Sequence, residues 1–179
     1  MKFLSYKKVD RLEIERLFKN VFSEAESNEE GDLIAGLVSD LIYKTADEDI
    51  FGYVANSKSE LIGAVFFTRM TLRDNTLTTF ILSPMAVSIN HQGQGIGQKL
   101  INHSLTSLKE SGVQFVFTYG DPNFYSRVGF QQISEETVQP PFDLTYPEGW
   151  LCQSLGDDFI SGISDKSRCV DALNKPEYW

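Results

Sequence analysis

The sequence predicts a mixed α/β fold, an α+β arrangement on a mixed sheet. Three observations carry that expectation. Two apolar stripes at helical spacing occupy the first quarter of the chain, a β-rich meander follows, and an apolar strand then leads through a glycine turn into an amphipathic helix and a further strand.

Phe3 to Lys7 reads as a first strand. Asp10, with Glu13 three residues on, has the pattern of a capping box opening a helix through Leu12, Leu17, Phe18, Val21 and Phe22. Ser23 to Glu30 is expected to break it. A second helix then carries Leu33, Ile34, Leu37, Val38, Leu41 and Ile42 on one face. Strands are expected at Phe51 to Ala55 and Leu61 to Thr71, joined by the polar turn Asn56 to Glu60, with another turn at Arg73-Asp74-Asn75. Thr79 to Ile89 is a third, interrupted by Pro84, which has no N–H for a ladder, so the strand should bulge or splay there.

Ile96, Leu100, Ile101, Leu105 and Leu108 define the apolar side of the next helix. Gln98, Lys99, Asn102, His103, Thr106, Ser107 and Lys109 fall on the other side, and Gly112 is placed to end it. Val113 to Tyr119 reads as a strand. Past Ile133 the chain is punctuated by Pro140-Pro141 and Pro147, and Trp150 to Leu155 has the composition of one more strand.

The 179 residues are most simply one domain, 1–179, with a core over about 1–133 and a C-terminal extension over about 134–179 packed against it. An apolar share of 41% excludes intrinsic disorder, and no run approaches the roughly 20 apolar residues of a membrane span. With no apolar stretch of signal-peptide type at the start, the expected location is cytoplasmic. The net charge of -9 argues against nucleic acid and anionic membrane as partners and is compatible with a basic amine. Cys152, Cys169, His91 and His103 have neither disulfide-framework nor metal-ligand spacing, so no metal is expected.

Gln92-Gly93-Gln94-Gly95-Ile96-Gly97 is the most informative stretch. A helix with a glycine-rich first turn offers unpaired N–H groups and the positive end of its dipole, without Cβ atoms to keep a phosphate away. The nucleoside-triphosphate loop is ruled out by Gln98 where it needs lysine, and the dinucleotide fingerprint by the same glutamine where it needs a third glycine. The segment resembles the Gln/Arg-x-x-Gly-x-Gly/Ala motif of the GNAT N-acetyltransferase superfamily, through Gln92, Gly95 and Gly97 after the Met85-Ala86-Val87 strand. A second element agrees: Tyr125 to Phe130 is similar to that family's Tyr-x-x-x-Gly-Phe segment. The Gly120-Asp121-Pro122-x-x-Tyr125 wording resembles a bacterial branch of predicted acetyltransferases.

The resemblance implies an acyl-CoA N-acyltransferase (GNAT) fold and an acetyl-CoA-dependent N-acetyltransferase. The acceptor would be a primary amine of a small molecule or protein, with a homodimer as one arrangement open to the chain. It implies that Met85, Ala86 and Val87 pair with the pantetheine arm and acetyl carbonyl, and that Gln92, Gly93, Gln94, Gly95, Ile96 and Gly97 hold the pyrophosphate. Asn123 and Phe124 are further cofactor contacts, and Tyr125 is the catalytic acid that protonates the departing thiolate. Read as residues alone, the first three are core, the glycines an ordinary turn, Tyr125 a buried aromatic, and Asp121 and Asn123 helix caps.

The family's frequent glutamate base has no counterpart on the strand before the glycines. Glu24, Glu26, Glu29, Glu30 and Asp32 lie between the first two helices, where such enzymes shape the acceptor pocket, but none has a catalytic signature. A CoA-binding regulatory module without turnover, and transfer of a longer acyl group, stay open as alternatives.

Overall fold

The structure, a computed structural model, describes residues 1–58, 60–72, 76–157, 160 and 163–179. Backbone contacts gather them into two compact units, Met1–Phe67 with Pro84–Ser104, and Thr68–Ser83 with Leu105–Trp179.

The first unit holds β1 (Lys2–Ser5), α1 (Arg11–Ala25), α2 (Asn28–Lys44) and β2 (Ile50–Ser57), the first part of β3 (Glu60–Thr71), the last part of β4 (Thr79–Val87) and the start of α3 (Ile96–Glu110). β1 runs antiparallel to β2 from Lys2↔Asn56 to Ser5↔Tyr53, and β3 and β4 follow in order. Successive strand residues face opposite ways, and Phe66 and Phe67 use this to join both faces. Phe66 meets Phe18 of α1 at 6.1 Å and Tyr6 at 5.2 Å, whereas Phe67 meets Tyr53, which packs edge-on to His103 of α3. His103 also stacks on Phe3 at 5.5 Å. This corrects its expected place on the polar face: the ring is half-buried among aromatics that the helical period could not foresee.

Two helix boundaries also differ from expectation. Asp10 stands before α1 but makes no side-chain cap bond, because a 3-10 turn over Lys8–Asp10 has already brought its backbone to φ -84°, ψ 3°. A capping side chain needs the extended conformation that Ser27 has, at φ -158°, ψ 163°. Ser27 Oγ accepts from the Glu30 N–H at 3.2 Å, and the break between helices shrinks to Glu26 and Ser27. The expected turn at Arg73-Asp74-Asn75, and Ser59 in the turn before β3, lie outside the described residues.

The second unit holds the end of β3, the start of β4, the rest of α3, β5 (Phe115–Tyr119), α4 (Pro122–Tyr125), β6 (Gln131–Gln132), β7 (Val138–Gln139), β8 (Trp150–Ser154), β9 (Ile163–Lys166) and β10 (Arg168–Cys169). α3 ends as expected, with Gly112 at φ +83° and the Val113 N–H donating to Leu108 O at 3.0 Å. β5 is parallel to β4, while β8 lies antiparallel to β5 from Phe115↔Ser154 to Tyr119↔Trp150 and separates it from β6. The C-terminal segment therefore supplies an inner strand as well as surface packing. Its anchor is Trp150, fully buried, stacked on Phe117 at 5.4 Å and donating Nε1–H to Val138 O at 2.9 Å. β10 pairs with β3, and β7 and β9 form a separate parallel pair.

Candidate functional site

The β4–β5 ladder runs from Thr79↔Phe115 to Leu82↔Thr118 and ends there. Pro84 follows two residues later, and β4 itself continues to Val87. This is the loosening expected near Pro84, since a residue without N–H cannot extend a ladder. Met85 is half-buried, and Ala86 and Val87 are buried.

After β4 the chain turns at Ser88, whose N–H donates to Ile62 O at 2.8 Å. Gln92 Nε2–H reaches back to Val87 O at 3.0 Å and ties the loop to the strand end. Gly93 and Gly95 both lie at φ +71°, the left-handed region costly to a residue with a Cβ. At Gly93 a Cβ would meet nothing within 4 Å, so backbone conformation, not crowding, demands the glycine. The Lys99 N–H donates to Gly95 O at 3.1 Å, the first bond of α3. Ile96, Gly97 and Gln98 thus form a first turn whose N–H groups have no carbonyl one turn back. Gln92, Gly93 and Gln94 are exposed while Ile96 and Gly97 are buried, so the turn faces solvent over an anchored helix start. Its chemistry suits an anion.

In the second unit, Asp121 caps α4 by accepting from the Asn123 N–H at 2.9 Å and Nδ2–H at 3.1 Å. Capping thus accounts for Asp121, and Asn123 is exposed. Tyr125 packs edge-on against Phe124 at 5.1 Å and Phe130 at 5.6 Å. Its hydroxyl bonds to the Thr118 side chain, and Thr118 Oγ1–H donates to Leu82 O at 3.2 Å. Burial pushes the Tyr125 phenol up, the Thr118 bond partly offsets this, and the Asp121 charge adds to it. A phenol so placed stays protonated at neutral pH. The ring lies so close to Gly120 that a Cβ there would come within 2.7 Å of Tyr125 Cε2.

Residues 5–133 match the acetyltransferase (GNAT) domain family. The chain belongs to the GNAT acetyltransferase family. Escherichia coli YjhQ, an N-acetyltransferase, is 30% identical over 150 residues, 80% of each chain. The crystal structure of the E. coli GNAT N-acetyltransferase YhbS in complex with CoA superimposes with a TM-score of 0.84 at 27% identity, covering 97% of this chain and 92% of that one. A GNAT acetyltransferase from Brucella melitensis in complex with acetyl-CoA shares the fold, with a TM-score of 0.74 at 23% identity over 96% of this chain and 97% of that one. The expected mixed α/β GNAT fold is therefore the observed one, in the expected order through β6.

Of the residues the GNAT motifs single out, Met85 to Gly97 stand together in the first unit, and Asn123, Phe124 and Tyr125 in the second. Thr118 and Leu82, on which Tyr125 is anchored, carry no sequence motif, whereas Gly120, against which its ring packs, opens the Gly-Asp-Pro-x-x-Tyr segment. Glu24, Glu26, Glu29 and Asp32 are exposed, and Asp32 is paired with Lys19. Glu30 is half-buried, its carboxyl raised by burial and then by Glu26. Cys152 and Cys169 are free thiols pushed by burial to about 12 and about 11, respectively. Among the described residues no His, Cys, Asp or Glu cluster could hold a metal, and no helix is long and apolar enough to cross a membrane. A cavity of about 680 Å³ beside Gln131, Gln153 and Asp157 takes in Gly129 of the Tyr-x-x-x-Gly-Phe segment but none of the candidate cofactor or catalytic residues.

Proposed function

We propose that this GNAT chain transfers the acetyl group of acetyl-CoA to a primary amine of a small molecule or protein by direct attack. The observation that carries the reading is the pair of left-handed glycines, Gly93 and Gly95, which delivers the open start of α3 at the end of β4. The CoA and acetyl-CoA bound by the E. coli and Brucella relatives support the same donor.

In this reading the backbone of Gln92, Gly93, Gln94, Gly95, Ile96 and Gly97 holds the pyrophosphate, with the Gln92 side chain fixing the loop through Val87. The backbone of Met85, Ala86 and Val87 takes the pantetheine arm and acetyl carbonyl, and Asn123 and Phe124 border the cofactor. The amine nitrogen forms a C–N bond with the acetyl carbon as the C–S bond breaks. Tyr125 gives its proton to the thiolate and recovers one from solvent, while the nitrogen releases one. The products are the acetamide and CoA. No metal takes part.

The same reading takes residues 1–179 as one acetyltransferase domain working in the cytoplasm, in the bacterial branch that carries the Gly-Asp-Pro-x-x-Tyr segment. Calorimetric titration with CoA, followed by thiol release from acetyl-CoA across amines, polyamines, amino acids and peptides, tests it. Binding with thiol release for at least one amine class is the expected result. Lack of CoA binding would overturn the donor; binding without release for any amine would favour a regulatory module. Faster release from a longer acyl-CoA would reassign the acyl group.

A further inference from the structure

The pairs Val116↔Gln153 and Thr118↔Leu151 put these four residues of β5 and β8 on one face of the sheet. From that face Thr118 holds the Tyr125 hydroxyl. Gln153 reaches the far end of the turn that carries Tyr125. A Cβ at Gly129 would lie 2.7 Å from Gln153 Nε2, 3.1 Å from Cδ and 3.4 Å from Oε1, so the whole carboxamide rests against the Gly129 backbone.

Gly129 ends that turn at φ +96°, donating its N–H to Ser126 O at 3.2 Å, and the next N–H, of Phe130, donates to Tyr125 O at 3.2 Å. This pair of bonds is a Schellman stop, and its apolar contact is the Phe130 ring, edge-on to Tyr125 at 5.6 Å. Tyr125 is therefore held at both backbone and ring by the residue after Gly129. The β6–β8 ladder runs only from Gln131↔Cys152 to Gln132↔Leu151 and stops short of this turn. Gly129 and Gln153 both border the cavity of about 680 Å³, which leaves open space beside them. Gln153 Oε1 is itself buried without a hydrogen-bond partner among the described residues, a cost that an apolar side chain would avoid.

We propose that Gln153 is a positioning residue for acetyl transfer: its side chain keeps the Gly129 turn closed and, through Phe130, holds the Tyr125 phenol on Thr118. The inference rests on the acetyl-transfer reading above, in which Tyr125 protonates the thiolate. With the side chain cut back, the turn relaxes toward the cavity, Phe130 slips from the Tyr125 ring and water reaches the phenol. Burial is the largest cause raising that phenol's pKa, so entry of water lowers it. The charge acting on the phenol is Asp121, and the exposed Arg127 in the turn and Asp157 after β8 are the other charged groups of the flanking segments. Seating by contact requires the length of the side chain, not its amide.

The test compares Gln153→Ala and Gln153→Met, each alone and combined with Tyr125→Phe, by steady-state kinetics, CoA calorimetry and the tyrosinate absorbance that each protein gains over its Tyr125→Phe counterpart as pH rises. Gln153→Ala should lower kcat about tenfold with acetyl-CoA KM unchanged, and should move both the alkaline loss of kcat and the Tyr125 absorbance step to lower pH. Gln153→Met, which restores the length, should recover most of the loss. In the Tyr125→Phe background, Gln153→Ala should change kcat by less than about twofold, because a residue acting through Tyr125 has nothing left to position. If Gln153→Ala fails to fold, Gln153→Asn, one methylene shorter, carries the comparison. Wild-type kcat and an unmoved absorbance step in the folded variant would overturn the proposal, as would equal losses in both backgrounds or a Gln153→Met as slow as Gln153→Ala. The two readings fail differently: wild-type kcat in Tyr125→Phe alone sinks the acid role and this inference with it, whereas a slow Tyr125→Phe beside an unaffected Gln153→Ala sinks only the role of Gln153.

Discussion

Tyr125 is hydrogen-bonded to Thr118, the last β5 residue in register with β4, and Thr118 in turn donates to the Leu82 carbonyl at 3.2 Å. The phenol is thereby fixed where the two strands part. Tyr125→Phe should lower kcat by about 10² to 10⁴ while calorimetry finds CoA affinity within a few-fold of wild type. A parallel loss of affinity would make the residue structural.

The raised Tyr125 pKa sets the sign of two pH effects. As an acid whose folded pKa lies above its unfolded one, it keeps its proton, and kcat should hold through the ordinary tyrosine range near 10 and fall only above it. Its stability contribution is complete below the unfolded pKa and is lost as pH rises through the folded one. Thr118→Val removes the bond that lowers the pKa and should move the alkaline loss of kcat upward.

Gly93→Ala meets open space but a forbidden backbone, so about 1–2 kcal/mol of strain is expected, seen as a melting temperature lower by several degrees. Because the strain reshapes the turn, CoA affinity should drop more than that of a surface alanine substitution such as Gln132→Ala. Equal affinities would remove the loop from the cofactor site.

At Gly120 the obstacle is Tyr125 itself. Gly120→Ala would drive a methyl to 2.7 Å from the ring, and the ring must move off its Thr118 partner. Steady-state kinetics should show kcat reduced toward the Tyr125→Phe value with CoA binding retained; unchanged kcat would mean that the position of the hydroxyl is immaterial.

The two cysteines should be silent in a thiol-release assay. With burial holding Cys152 at about 12 and Cys169 at about 11, the native protein at pH 8 should label with a thiol reagent far more slowly than the denatured chain. Labelling at the free-thiol rate would contradict the burial.

Much of this was legible from residue order. The faces of α2 and α3 follow from a 3.6-residue period, and the Gly112 stop from local backbone need. Asp10-x-x-Glu13 and Ser27-x-x-Glu30 share one pattern, yet only Ser27 caps its helix. The backbone entering each helix decides between them, and a 3-10 turn spoils the first.

By itself the sequence determined the order of elements and the glycine turn, because helical periodicity and left-handed backbone are demands that act within a few residues. Only the tertiary structure decided that β8 returns between β5 and β6, that Thr118 meets both Tyr125 and Leu82, and that Gln153 rests against Gly129. These pairings join residues far apart in the chain. They are selected by the burial of Phe117, Trp150 and Trp179 against one another, an energy no local window contains.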